Sequence, residues 1–382
     1  MINTPGAFHV SCFTNYEGDR QFSMLRYADQ LLNGLRRRYS PDCTFDRISP
    51  PWNGKTPGPV ASRWKRFVEF PLLARRHWGD IHHITDHGNS PLIRHLPAER
   101  TVITCHDLIP LKLADHLSGF SKRIPMSFKV KVLLMRRAAR IMADSESTRR
   151  DIVSFLGIAA DKIDVVYLGV DHDTFHPLKA GETKEAIRRS LGMTWPLTLL
   201  NIGAAAFYKN LDGVIETLGL LRQKYGLDIH LVKTTKALSP AQDSLIERRG
   251  LRPYIHDISA KSDHELRNLY VASDVFLFPS LWEGFGWPPL EALACGTPVV
   301  ASGRGSLPEV LGSAAPQIEP DQYDTYARAV HRLLEDAPYR NGLREAGFAQ
   351  AARFQWDTTA EQVMNVYRQV WHNAGGALRG KA

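Results

Sequence analysis

Cysteine is scarce in this chain of 382 residues: Cys12, Cys43, Cys105 and Cys295 lie far apart and form no CxxC pair. A disulfide scaffold and a zinc ribbon are thereby excluded, and a reducing compartment fits. Long apolar runs are missing as well, none approaching the ~18 residues of a membrane span. The opening MINTPGAFHV has no basic stretch followed by an apolar one, so it does not read as a secretory signal. The expectation is a cytoplasmic protein. No GxGxxG fingerprint, Walker loop or nucleophilic serine elbow occurs, and GFGWPP lacks the third glycine that dinucleotide binding needs. A nicotinamide oxidoreductase is set aside. With 43% hydrophobic and 23% charged residues, so are collagen, coiled coil and wholesale disorder.

What is present is unevenly charged. Residues 1–180 carry 26 Lys and Arg against 18 Asp and Glu, whereas 181–382 carry 22 of each. The whole net charge of +8 therefore sits in the first half, in runs such as Arg36-Arg37-Arg38 and Arg75-Arg76. Such a field attracts phosphates of nucleic acid, lipid headgroups or a phosphorylated substrate; a merely solvated surface has the same composition. The stretch RWKRFVEFPLLARRHW (63–78) interleaves basic residues with Trp64, Phe67, Phe70, Leu72, Leu73 and Trp78. That mixture suits the surface of an anionic membrane, or a packed helix with a basic edge.

The second half has the clearer pattern. Short apolar runs (LTLLNIG, DIHLVKT, YIHDIS, DVFLFPS, PVVAS) alternate with helical stretches such as NLDGVIETLGLLRQKY and SDHELRNLYVAS. Buried strands joined through helices predict parallel βαβ units with helices on both faces, an α/β Rossmann-like domain. The first half repeats the style in FHVSCFT, FSMLRYADQLLNGLRRR, HHIT, TVITCHD and ARIMADS. The connector VVYLGVDHDTFHPLKAGE (165–182) divides the two, predicting domains at 1–175 and 180–355 and a terminal segment at 356–382. In such folds ligands bind beyond the carboxyl ends of the strands, so two domains face to face would hold donor and acceptor across a central cleft.

The densest chemistry lies in SLWEGFGWPPLEALACGTPVVAS (280–302). Glu283 follows a strand, Gly284 and Gly286 admit a ligand close to the backbone, and Pro288-Pro289 open a helix. Glu291 is expected in that helix's first turn, whose free N–H groups and positive dipole suit phosphate or sugar oxygens. Each carboxylate can accept two hydroxyl hydrogen bonds, which matches a vicinal diol. Dipole complementation by Glu291 and a surface position for Glu283 would be the plainer account.

This block resembles the Glu-x7-Glu signature of retaining GT-B glycosyltransferases, specifically glycosyltransferase family 4. HDLIP (106–110), DSESTRRDI (144–152), GVDHDTFHP (169–177), Lys209-Asn210, SLPEVLG (306–312) and FQWDTTAEQVMNVYR (354–368) match as well. The resemblance implies transfer of a sugar from a nucleotide diphosphate donor to a hydroxyl of a glycan or lipid-linked acceptor, with retention of configuration. HDLIP with DSESTRRDI resembles the mannosyltransferase-like branch, implying GDP-mannose ahead of a UDP-sugar. On this resemblance Glu283 meets the transferred sugar with the N–H groups of Gly284, Phe285 and Gly286, Glu291 holds the ribose, and Gly203 and Lys209 attend the diphosphate. Lys209 would neutralise the leaving group, where charge grows most, and His106 would line the cleft beside the sugar. Gly18, Asp86, His87 and Asp107 are the acceptor-side candidates. Relatives often carry an arginine where this chain has Ala204, and Lys233 or Arg149 are candidate replacements.

Three other patterns compete. Asp171-His172-Asp173 has the form of an Asp-x-Asp metal site, yet it falls in the connector, where Asp is an ordinary turn residue; no metal or other cofactor is expected. His82, His83 and His87 lack a fourth zinc ligand, and the first two point to opposite faces of a strand. Ser306 and Glu309 have capping-box spacing. A GT-B-fold sugar-nucleotide epimerase would also have paired α/β halves, but without Glu-x7-Glu. A nucleic-acid-binding protein would explain the basic half only, and no reader module is recognisable. The expected partners are a nucleotide sugar, an acceptor and an anionic membrane surface, not nucleic acid.

Overall fold

A computed structural model describes residues 8–19, 21–52, 54, 58–114, 124–204, 206–234 and 237–375. Arg20, the opening heptapeptide and residues 376–382 of the expected terminal segment lie outside the described residues. The chain divides into two units, 1–169 with 355–382, and 170–354. Residues 170–182 of the connector thus pack with the second unit: Phe175 meets Tyr270 edge-on, and Arg267, buried to 1% exposure, holds Glu182 at 2.6 Å.

The first unit is built on a parallel six-stranded sheet. Its strands are β1 (His9–Phe13), β2 (Thr44–Ile48), β3 (Ile81–Ile84), β4 (Thr101–Cys105), β5 (Arg140–Ala143) and β6 (Ile163–Val165), in the order β2-β1-β3-β4-β5-β6. The central strands are buried along nearly their whole length because both faces are covered by helices, with Ser11, His82, His83 and Thr104 buried among the apolar residues. The helix Phe22–Tyr39 buries Tyr27, Leu31, Leu32 and Leu35 along one stripe and keeps Arg36, Arg37 and Arg38 in its last turn, where they complement the dipole. The helix Trp356–Asn373 packs in the same unit: Tyr367 hydrogen-bonds His83 Nδ1 at 2.7 Å, and Thr359 donates to the Tyr167 carbonyl at 2.8 Å. Strands β2 and β6 carry no legible apolar run, since β2 (TFDRI) is largely exposed at the sheet edge and β6 is three residues long.

The second unit holds a second parallel six-stranded sheet. Here β7 (Leu197–Asn201), β8 (Ile229–Lys233), β9 (Ile255–Asp257), β10 (Val275–Phe278), β11 (Val299–Ser302) and β12 (Gln317–Ile318) lie in the order β12-β11-β10-β7-β8-β9. Its core gathers Leu199, Val214, Leu218, Leu231, Val275, Leu277, Val300 and Tyr326 from strands and covering helices. Each sheet reverses its direction of strand addition once, between β1 and β3 in the first and between β7 and β10 in the second. Adjacent loops leave in opposite directions there and open a crevice at the carboxyl ends of the strands, the usual ligand position in open α/β sheets.

Candidate active site

At the crevice of the second sheet, the loop after β7 brings Lys209 and the loop after β10 brings Glu283. Lys209 Nζ lies 2.8 Å from Glu283 Oε1 and 3.0 Å from Oε2, over the rings of Tyr208 and Phe278. The lysine is placed by Asn210, whose left-handed backbone (φ 53°) ends a short 3-10 turn and caps the helix Leu211–Gln223. The Asn210 side chain also donates to the carbonyls of Pro279 (2.9 Å) and Pro320 (3.0 Å), fastening the lysine loop to β10. Gly203 lies beside the lysine stem, where a Cβ would stand 3.5 Å from Lys209 Cγ, an ordinary contact.

The Glu283 loop is fastened from the other side. Gly305, at φ +65°, approaches so closely that a Cβ would lie 2.4 Å from the Glu283 carbonyl oxygen, a position only glycine can take. Ser306, fully buried, has its hydroxyl 2.8 Å from the Phe285 carbonyl and 3.2 Å from that of Glu283. The capping-box expectation for Ser306 and Glu309 is therefore corrected: Ser306 makes no side-chain cap on the helix Leu307–Leu311 and braces the Glu283–Phe285 loop instead. Nothing in the spacing distinguishes the two uses, because both need a serine before a helix. The buried Phe285 ring packs edge-on against Phe354.

Gly286, at φ 98°, caps the helix Trp287–Ala294. Its first turn contains no acidic residue, so Glu291 belongs to the second turn rather than the first. It is 1% exposed and accepts a hydrogen bond from Tyr270 at 2.9 Å. Lys233, one candidate for the missing phosphate cation, ends β8, and it is paired with Asp257. Arg149, the other, lies on the helix Glu146–Leu156 of the first unit, bonded to Glu146 at 2.8 Å.

The crevice of the first sheet collects a different set. Asn15, after β1, donates to Asp86, after β3, at 2.6 Å, and Asp86 also accepts from Gly88 N at 2.8 Å. Burial works against ionisation of Asp86, but His87, His106 and these hydrogen bonds hold its carboxyl below the usual range. His87 Nδ1 lies 3.5 Å from Asp86, with its ring edge-on to Phe128. His106, beyond β4, donates from Nδ1 to Asp144 (2.6 Å) and from Nε2 to the Thr85 carbonyl (2.9 Å). With Asp144 ionised both partners are acceptors, so both nitrogens carry protons and the ring is an imidazolium. Burial opposes that charge, but Asp144 and Asp86 outweigh it and push His106 up to about 9.

The remaining acceptor-side candidates have internal roles. The Tyr16 ring stands where a Cβ on Gly18 would be, 2.5 Å away, so Gly18 is explained by packing under that ring. Asp107 accepts from Ile109 N at 3.0 Å and closes the turn into the helix Ile109–Lys112. His83 has both nitrogens engaged, by Tyr367 and by Thr104 at 2.8 Å, and does not join His82 and His87. Asp171 folds the connector, accepting from Asp173 N (3.1 Å) and the Thr174 hydroxyl (2.8 Å). Among the described residues no group of three His, Cys, Asp or Glu side chains is arranged to hold a metal ion.

The family model described as Glycosyltransferase Family 4 matches residues 25–174, and that of Glycosyl transferases group 1 matches 183–350. The O-antigen chain mannosyltransferase B of Escherichia coli is 29% identical over 274 residues, 71% of this chain and 70% of that protein. The MMP alpha-(1->4)-mannosyltransferase of Mycolicibacterium hassiacum is 30% identical over 62% of this chain, which spans 57% of that relative. Among solved structures, sucrose-phosphate synthase from Thermosynechococcus elongatus superposes with a TM-score of 0.76 at 18% identity, over 95% of this chain and 99% of that one. Anabaena HepE, in complex with UDP and glucose, gives 0.73 at 18% identity, over 95% of this chain and all of that one. Matched in both units and built on two parallel α/β sheets, the chain belongs to glycosyltransferase family 4 and is a glycosyltransferase of GT-B fold.

Proposed function

We propose that the chain is a retaining hexosyltransferase that moves mannose from GDP-mannose to a hydroxyl of a glycan or lipid-linked acceptor, in the building of a polysaccharide or glycoconjugate. The observation that carries this reading is the Lys209–Glu283 pair at the crevice of the second sheet. The two mannosyltransferase relatives favour mannose; the HepE complex with UDP and glucose supports a UDP-sugar as the second donor class.

In the proposed reaction Glu283 gives up its ion pair to accept the sugar's hydroxyls, and Lys209 turns to the departing diphosphate. The bond from the anomeric carbon to the phosphate oxygen breaks while the acceptor oxygen bonds to the same face. The acceptor's proton passes to the leaving phosphate oxygen. Lys209 stabilises the charge that develops there, a contribution that grows towards the transition state. Glu291 takes the ribose hydroxyls, and the amino end of the Trp287–Ala294 helix supplies positive potential without a metal ion. In the acceptor unit His106 contributes a fixed positive wall, since Asp144 and Thr85 already hold both its protons.

Peripheral binding at the cytoplasmic face of a membrane belongs to the same proposal. In the stretch Pro59–Arg76, Phe70 and Ala74 turn inward while Trp64, Phe67 and Leu72 stay exposed among Arg63, Arg75 and Arg76. No helix among the described residues is long and apolar enough to cross a membrane. The deciding experiment is a panel of nucleotide sugars, read by thermal stabilisation, slow hydrolysis and the anomeric configuration of the product by NMR. GDP-mannose should stabilise and turn over with retention. An inverted product overturns the mechanism, a UDP-sugar preference overturns the donor, and silence across the panel overturns the transfer reading.

A further inference from the structure

The first unit contains a cavity of about 150 Å3 between the segments 66–71, 88–95 and Lys131. Its lining divides by chemistry. Phe67, Phe70 and Leu92 make an apolar floor and lip, while Arg66, Arg94 and Lys131 supply cations. Arg66 is held at 2.5 Å by Asp19, but neither Arg94 nor Lys131 has a carboxylate partner among the described residues. Burial, then the nearby Arg66, hold the Lys131 amine below its usual range. Asp86 and Asp19 offset part of that effect at Lys131 from beyond ion-pair distance, and the three crowded cations, of which only Arg66 touches a carboxylate, invite an anion.

The cavity is far smaller than the about 300–1,000 Å3 that enclose a whole ligand of drug size. It suits one small charged group, with the rest of the molecule outside. What lies outside is apolar: Phe67 runs from the cavity to the surface at 60% exposure, Trp64 one turn earlier is 61% exposed, and on the Met126–Leu134 helix, which carries Lys131, Met126 and Leu133 are exposed. The inner wall is polar and leads to the crevice of the sheet, because Gly88 donates to Asp86 and Asn89 donates to Asn15 at 2.9 Å.

We propose that this cavity is the seat of a lipid-borne phosphate: the phosphate among Arg66, Arg94 and Lys131, the first carbons of the chain over Phe67 and Phe70, and the acceptor's sugar directed towards Asp86. The inference rests on the transferase reading for the acceptor and sharpens it, selecting an acceptor anchored through a phosphate on an apolar chain over a free glycan.

The test uses the full chain and phosphatidylcholine vesicles doped with phosphatidic acid, compared with phosphatidylcholine vesicles doped to equal surface charge with cholesteryl hemisuccinate, an anion without added phosphate. The double substitution Arg94→Gln with Lys131→Gln is set against Arg63→Gln with Arg76→Gln, which removes the same charge outside the cavity. The cavity pair should weaken phosphatidic acid binding about tenfold more than the control pair, while on cholesteryl hemisuccinate the two should fall alike. With the unaltered chain, dihexanoyl phosphatidic acid should raise the melting temperature and inorganic phosphate should not, since the phosphate alone lacks the Phe67 contact. Equal losses from both pairs on both lipids, or equal shifts from the lipid and from inorganic phosphate, would overturn the proposal. Nucleotide-sugar hydrolysis is scored separately. A chain that prefers phosphatidic acid but hydrolyses no donor refutes the transferase reading alone, and one that hydrolyses a donor without cavity dependence refutes this one alone.

Discussion

The two crevices, one in each unit, handle charge in opposite ways. In the first unit His106 is bound on both nitrogens by Asp144 and Thr85, and Asp86 is enclosed by Asn15, Gly88 and His87. In the second, Lys209 and Glu283 lean on each other across 2.8 Å, and the loops that carry them are fastened through neighbouring residues. The first arrangement is a finished scaffold that shapes a surface. On the proposed reading the second is a charge pair whose partners a substrate replaces, with the carboxylate released to hydroxyls and the ammonium to phosphate. Rigid charge suits recognition, and exchangeable charge suits a step in which charge moves.

The sharpest way to break this contrast is to remove the exchangeable cation. Lys209→Met keeps an unbranched apolar stem, removes the ammonium that lies over Tyr208 and Phe278, and should lower kcat for sugar transfer by ~10² to 10³. Activity within threefold of the unaltered protein would take Lys209 out of the chemistry.

The scaffold side is tested by pH. His106 is raised from its ordinary 6.5 to about 9 in the folded state, so its share of stability is complete below pH 6.5 and is lost as pH climbs through 9. The opposing rise of Asp144, caused by its burial, makes about 3 kcal/mol an upper bound. The melting temperature should therefore decline between pH 6.5 and 9 by roughly 5 °C. Combining His106→Gln with Asp144→Asn, which leaves no orphaned charge, should flatten that decline. A slope unchanged in the double variant would mean that another group titrates.

Smaller effects sharpen the comparison. Ser306→Ala removes a buried hydrogen bond worth about 1 kcal/mol and loosens the Glu283 loop. Transfer should slow by about tenfold with the fold intact, since small displacements of positioned groups are costly. A tenfold loss of donor affinity with kcat unchanged would place the serine in binding instead. Smallest of all, Asp171→Ala should leave donor affinity within twofold and transfer should persist in EDTA, because Asp171 bonds its own turn. A divalent-ion requirement abolished by that substitution would restore a metal site.

These contrasts also mark what was legible beforehand. Strands β7, β8, β10 and β11 and their helices stand out because a strand buried on both faces must be continuously apolar. Glu283 and Glu291 were legible because the glycines and prolines between them fix a loop and a helix start. The Lys209–Glu283 bond joins residues 74 positions apart, and no local pattern encodes such a pairing. The same is true of His106 with Asp144 and of Ser306 with Phe285: the residue types are visible, but their partners are chosen by the sheet order. Gly18 has a local packing role beside its expected one, since the Tyr16 ring two residues earlier fills the space a side chain would need. The edge strand β2 stayed hidden because an exposed edge needs no apolar signature.

The order in which the chain is made gives the helix Trp356–Asn373 a further consequence. This helix covers Tyr27 and His83 of the first unit, yet it follows the whole of 170–354 in the chain. On the ribosome the second unit emerges as one uninterrupted stretch, while the first six strands wait without their closing helix. The unit begun first is therefore the one completed second. During that interval it exposes the apolar surface that Val363, Met364 and Val370 later bury, which makes it the natural client of chaperones during synthesis.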